Sequence, residues 1–166
     1  MTPRAARLDD ATAIAAIYNE GIVDRIATFE TERRSAEQVA RWFDGRHPIV
    51  VVEGSDGAVL AFAASSSYRE RACYAGIAEF SVYVGRRHRG RGAGRVAMAA
   101  LVDAATKAGL SKLVSRIFPE NTASLALMAH MGFRRVGIYR RHAKLDGQWR
   151  DCVIVERLLG EAARDD

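Results

Sequence analysis

The chain has 166 residues, 49% of them apolar, and a formal net charge of +5. That apolar content suits one core, so a single domain is expected, and the positive excess favours anionic partners: a nucleotide cofactor, an acidic small molecule or nucleic acid. No secretory leader opens the chain and no apolar run approaches the ~20 residues of a membrane span, so a cytoplasmic location is expected.

In chain order, residues 3–8 are short and mixed and read as an edge strand. A helix with apolar period three to four follows (Ala13, Ile14, Ile17, Tyr18, Ile22), with Asp9 as its N-cap. Residues 24–34 have no clean period and read as a loop carrying Thr28 and Phe29. Ser35 and Gln38 have the spacing of a capping box, opening a short helix that buries Val39, Trp42 and Phe43 before Pro48. Residues 49–52 and 58–67 are paired strands around a Ser55-Asp56-Gly57 turn. A polar connection, 68–74, leads to a strand over 77–84 that carries one carboxylate, Glu79.

A loop of arginines and glycines comes next, and then an alanine-rich helix over roughly 94–108 with Val96, Leu101, Val102 and Ala105 inward and Gly109 as its stop. Residues 111–118 form a strand ended by Pro119, and 121–131 a short helix stopped by Gly132. Strands over 133–139 and 149–159 meet at an Asp146-Gly147 turn, and residues 161–166 form a frayed tail beyond a domain of 1–160. The order β-α-α-β-β-β-α-β-α-β-β is that of a mixed α/β domain, with no repeat or linker.

The loop is the most informative stretch. Arg86, Arg87, Arg89, Arg91 and Arg95 fall within ten residues, with Gly90, Gly92 and Gly94 at alternate positions among them. Glycines at alternate positions leave backbone N–H groups free to point into one concavity, and the following helix adds its unpaired amides and the positive end of its dipole. That is a site for a diphosphate. The cysteines, Cys73 and Cys152, make no ligand spacing and read as free thiols in or near the core. His88 and His142 lack partners at ligand spacing, so no metal is expected.

Arg89-Gly90-Arg91-Gly92-Ala93-Gly94, placed after a strand and opening a helix, with Asn121 at a second strand–helix junction, resembles the cofactor loop of the GNAT N-acetyltransferases. Within that family the chain is similar to the phosphinothricin acetyltransferase group, which includes enzymes acting on methionine sulfone, methionine sulfoximine and arsinothricin. The matching pieces are Tyr18-Asn19, Thr28-Phe29, Arg69-x-Arg71 with Tyr74, the strand Glu79-x-x-Val82-Tyr83-Val84, and Gly147-x-Trp149-x-Asp151. The resemblance runs from Ala6 to Leu158 and implies a mixed central sheet splayed at its fourth strand, with flanking helices. It implies acetyl-CoA as acetyl donor. The pantetheine arm would lie on main-chain groups of Val82, Tyr83 and Val84, the diphosphate on Gly90, Arg91, Gly92, Ala93, Gly94 and Arg95, with Asn121 holding the arm; Asn121 also reads as an ordinary N-cap. Relatives are commonly homodimers, and a homodimer is expected.

Acetyl transfer requires a neutral amine, so the resemblance makes Glu79 the general base, direct or through a water. The other reading of Glu79 is a carboxylate paired with an arginine such as Arg71. Arg69 and Arg71, with Tyr74, would receive a carboxylate and a second acidic group. Their other reading is a solvated basic turn balanced by Glu70. Phe29 would wall the acceptor's methylenes, and Ser81, on the face of Glu79 by period two, would add a hydrogen bond. The family's proton donor to the leaving thiolate does not carry over: Met128 stands where relatives carry Tyr or His, and His130 lies about 200° further round the helix. Water, the acceptor's own ammonium or Tyr139 remain as sources. Lys144, Trp149, Arg150 and Asp151 read as hairpin structure or a dimer edge.

The implied activity is therefore acetyl transfer to the α-amine of an acidic amino-acid analogue, in detoxification or resistance. Two other functions stay open. A peptide Nα-acetyltransferase would use the same core but would need an open acidic groove. A nucleic-acid module would use the basic strip, which lacks interleaved aromatics.

Overall fold

A computed structural model describes residues 1–164. One seven-stranded sheet runs through the molecule in the order β1-β2-β3-β4-β5-β7-β6. Its strands are β1 (Thr2–Ala5), β2 (Ile49–Glu53), β3 (Val59–Ser67), β4 (Ile77–Val84), β5 (Lys112–Ile117), β6 (Arg134–Leu145) and β7 (Gln148–Leu158). All neighbours are antiparallel except β4 and β5, which are parallel. The helices are α1 (Ala11–Asp24), α2 (Ala36–Ala40), α3 (Ala93–Lys107) and α4 (Thr122–His130). The expected order of elements is the observed one. The final tail residues, 165 and 166, fall outside the described part of the chain.

Alternation along the strands divides the core between the two faces. Val50, Val52, Ala61, Ala63, Ala78 and Phe80 point to the α3 side, against Ala97, Met98, Leu101 and Ala105. Val51, Phe62, Ala64 and Tyr83 point to the other side, against Ile14, Ile17, Tyr18 and Ile22 of α1 and Val39 of α2. The odd-numbered side chains of β4, Glu79 among them, therefore face α1 and the loop that follows it. Gly21 lets α1 come close: a Cβ there would lie 2.6 Å from the Tyr83 ring. Gly94 does the same for α3, where a Cβ would stand 3.2 Å from Val84. The alanine-rich face of α3 is what packs on the sheet; Val96 and Val102, expected inside, are only half-buried at its flank.

Several local expectations are corrected. Asp9 is not an N-cap: a 3-10 turn occupies Leu8–Asp10 and α1 begins at Ala11. The carboxylate of Asp10 has stronger partners than a helix end, accepting from both terminal nitrogens of Arg4 at 2.7 and 2.8 Å and from the Arg7 N–H at 2.7 Å. The Ser35–Gln38 capping box is present in both directions. β6 extends well past residue 139, interrupted by a bulge where Arg141 is left-handed at φ 48° and its N–H donates to Asp151 at 2.7 Å. Cys152 is buried, but Cys73 is exposed on the 68–74 connection rather than near the core.

Candidate active site

The seam between β4 and β5 makes the site. Their pairing runs only from Ile77↔Lys112 to Glu79↔Val114 and then stops, while β4 stays paired to β3 up to Val84. Gly85 donates its N–H to Leu60 O on the β3 side. Alternation then turns the N–H and C=O of Val82 and Val84 to the other edge, into the opening. On that edge Phe80 O accepts from Ser115 Oγ at 2.9 Å, and Val84 O from Arg89 Nε at 3.2 Å. The opening is thus a strand edge whose main-chain groups are available to an extended ligand.

The arginine–glycine loop closes one end of this seam. Gly90 and Gly92 have φ of +72° and +87°, with nothing within 4 Å of an added Cβ, so the backbone conformation calls for glycine there and leaves the space beside it open. The first helical bond of α3 is Val96 N–H to Gly92 O, which leaves the amides of Ala93, Gly94 and Arg95 at the loop mouth. The arginines divide into two sets. Arg86 and Arg89 are bound to Asp24 of α1 at 2.6 and 2.7 Å, and the Arg86 N–H donates to Glu20 at 2.6 Å. Burial alone would raise the Asp24 carboxyl, but these two guanidinium groups outweigh it and hold it below the usual range. Arg87, Arg91 and Arg95 are exposed and have no carboxylate partner among the described residues. Open glycines, free amides and these three cations fit a diphosphate and a further phosphate.

A cavity of about 380 Å³ occupies the seam, lined among others by Phe29, Glu79, Ser81, Val82, Arg116, Phe118, Asn121, Met128 and Cys152. A second cavity of about 390 Å³, under Trp42, shares Tyr18, Glu79, Phe80 and Ser81 with it, so Glu79 stands where the two meet. The outer wall is the loop after α1. Asn19 fastens one end of it, exchanging hydrogen bonds with the backbone of Arg34 at 2.9 and 2.8 Å. Arg25 pairs with Asp146 of the β6–β7 turn at 3.0 Å, and Phe29 packs edge-on against Phe118 with centroids 4.8 Å apart. Tyr83 lies behind, between Tyr18 and Phe62, and burial raises both tyrosine hydroxyls above their ordinary value.

The carboxylate of Glu79 is not enclosed in apolar surroundings. Its side chain is 33% exposed, and Arg116 Nη2 reaches both of its oxygens, at 3.1 and 3.0 Å. Its arginine is therefore Arg116 on β5, not Arg71. Phe29 and Ser81 share the cavity with Glu79, as do Val82, Tyr83 and Asn121. Asn121 caps α4, accepting the Ser124 N–H at 3.2 Å, while its Nδ2 donates to Ile26 O at 3.4 Å. Met128 is buried and faces the cavity, whereas His130 is exposed and Tyr139 packs at a tilt against His142 outside it.

Arg69 and Arg71 are exposed on the 68–74 connection and are not among the residues lining either cavity; Arg69 lies over the Tyr68 ring, which packs edge-on with Tyr74. Lys144 lies over Trp149 at 4.9 Å as hairpin structure, but Arg150 turns to the cavity side, its guanidinium 5.8 Å from the Phe118 ring. Arg116 is the cavity residue that sequence reading missed. The signal for Arg116 was its place between Val114 and Phe118 on the strand face opposite Leu113 and Ile117. What it meets there is set by register, which the sequence does not carry.

Comparison with known proteins places this geometry. The family model described as an acetyltransferase (GNAT) domain matches residues 4–154. A phosphinothricin N-acetyltransferase of Streptomyces coelicolor is 32% identical over 157 residues, covering 91% of this chain and 92% of that protein. An L-methionine sulfoximine/L-methionine sulfone acetyltransferase of Pseudomonas paraeruginosa is 31% identical over 157 residues, with 92% and 91% covered. The crystal structure of a GNAT-superfamily phosphinothricin acetyltransferase from Sinorhizobium meliloti, in complex with acetyl-CoA, superposes with a TM-score of 0.90 at 30% identity, covering 98% of this chain and 90% of that one.

Proposed function

The chain belongs to the GNAT acetyltransferase family, and we propose that its acceptor is the α-amine of an acidic amino-acid analogue of the phosphinothricin, arsinothricin or methionine sulfone type. The activity itself is acetyl-CoA-dependent N-acetyl transfer, within the phosphinothricin and methionine sulfoximine group. Acetyl-CoA brings an acetyl thioester to the site. In this reading the outward main-chain groups of Val82 and Val84 pair with the cofactor's arm, those of Tyr83 between them being turned to β3, and Asn121 holds the arm from the other lip. Gly90, Arg91, Gly92, Ala93, Gly94 and Arg95 receive the phosphates, because the open glycines and the unpaired amides of Ala93, Gly94 and Arg95 meet there. The Val82 N–H, directed into the seam, is the donor for a developing oxyanion.

Glu79 takes the proton from the acceptor's ammonium, directly or through a water. Phe29 and Ser81 wall the acceptor, and Arg69, Arg71 and Tyr74 meet its second acidic group at the outer mouth. Met128 has no proton to give, so the departing thiolate takes one from water or from the acceptor. The observation that carries this reading is the position of Glu79, one carboxylate at the lip of an open strand seam with an arginine against it. A role in detoxification or resistance, inside the cytoplasm, follows from that acceptor class. The chain acts as a homodimer through β6, a free sheet edge with Val136, Ile138 and Tyr139 exposed.

The test is thiol release from acetyl-CoA with phosphinothricin, arsinothricin, methionine sulfone, methionine sulfoximine, glutamate and short N-terminal peptides as acceptors. Turnover confined to the amino-acid analogues is expected. Turnover on peptides alone would replace this acceptor with a protein N-terminus.

A further inference from the structure

We infer that Arg116 is the receptor for the acceptor's α-carboxylate, and so the residue that separates free amino acids from peptide N-termini. This rests on the acceptor class proposed above and adds the group that reads it. Arg116 touches Glu79 through Nη2 alone. Its Nε and Nη1 have no protein acceptor among the described residues, and the side chain is 48% exposed at the cavity wall. A guanidinium presents five N–H donors in a planar fork, and one edge of this fork remains open to a second carboxylate.

The pair matches the head group of an α-amino acid. Amine and carboxylate are borne on a single carbon, and Glu79 and Arg116 offer an acceptor and a donor in direct contact. An amine turned to Glu79 thus places its own carboxylate beside Arg116, whatever side chain follows. Arg150 lies behind on the same face, outside the cavity lining; its Nε is buried without a hydrogen-bond partner among the described residues, and its Nη1 pairs with Glu120 at 3.6 Å. Arg69 and Arg71, outside the cavity, are left for the second acidic group of the analogue. A peptide N-terminus has an amide where the carboxylate would be and leaves the open edge of Arg116 without its anion.

The experiment compares L-methionine sulfone with its α-carboxamide as acceptors, in wild type, Arg116→Gln and Arg116→Lys. Wild type is expected to favour the acid by about 10- to 100-fold in kcat/KM, the range for hydrogen bonds to a charged group. Arg116→Gln should reduce that preference to within about threefold while the KM for acetyl-CoA stays unchanged, and Arg116→Lys should restore part of it. An arginine that only held Glu79 in place would lower turnover of both acceptors equally and keep the ratio. An unchanged acid-to-amide ratio in Arg116→Gln therefore overturns the assignment alone. A wild type that acetylates neither compound overturns the acceptor class, and the assignment with it.

Discussion

At the scale of single residues, Glu79 is defined by its neighbours more than by burial. One carboxylate on a strand of apolar residues looks, in sequence, like a group forced into the core. The sheet instead ends its pairing at that residue, so the side chain opens onto two cavities and meets Arg116. Glu79→Gln keeps the shape and the ability to accept from Arg116 but removes the proton acceptor. Turnover should fall about 100-fold or more at neutral pH, and the acetyl-CoA dissociation constant should stay unchanged; wild-type turnover would remove Glu79 from the chemistry. Cys152 lies on the same wall, and burial raises its thiol above the ordinary value, which keeps it protonated and unreactive.

At the scale of elements, the start of α1 is set by a long-range clamp, with no side-chain cap at its N-cap. Arg4 of β1 joins Asp10, at the head of α1, to Glu53 of β2. The Asp10 side chain is only 10% exposed. Its hydrogen bonds from Arg4 lower its carboxyl below the ordinary 3.8, against the opposing effect of burial, with the Arg7 N–H adding to them. A carboxyl depressed in the folded state contributes its full stability above the unfolded value and loses it as pH falls through the folded one. Asp10→Asn should therefore cost about 2 kcal/mol near neutral pH, a fall in Tm of about 4–8 °C for a domain of this size. The gap between variant and wild type should begin to narrow as pH falls below the unfolded value of 3.8, and close only once pH has fallen below the lowered folded value. A gap of constant size as pH falls from neutral to well below 3.8 would assign the stabilisation to packing. No local pattern identifies such a clamp, because Arg4 and Glu53 lie 49 positions apart.

At the scale of the whole molecule, the sheet has two edges of different character. β1 is short at one edge, whereas β6 is twelve residues long at the other, with Ile138 at 53% and Tyr139 at 51% exposure. Val136, Ile138 and Tyr139 form an apolar stretch between Arg134-Arg135 and Arg140-Arg141 on that edge, and an open strand edge is a template for pairing with another chain. Ile138→Lys places a charge on that edge without touching the core. Wild type should scatter light as twice the 18.2 kDa chain, and the variant as a single chain; a wild type that is monomeric at all concentrations would discard the homodimer.

The sequence by itself determined the order of elements, most of their boundaries, and the character of the cofactor loop. These are properties of short stretches, where periodicity, glycine positions and the Ser35–Gln38 spacing act over a few residues. Only the tertiary structure decided which arginines are free. Arg86 and Arg89 are spent on Asp24, more than sixty residues away in the chain, while Arg91 and Arg95 stay open at the loop mouth. It also decided that Arg116, rather than Arg69 or Arg71, stands at the cavity. The reason is register: β5 sits beside β4 through a parallel crossover and beside β7 through an antiparallel pair. Which side chains then share a face is set by packing across the sheet, and no stretch of neighbouring residues encodes it.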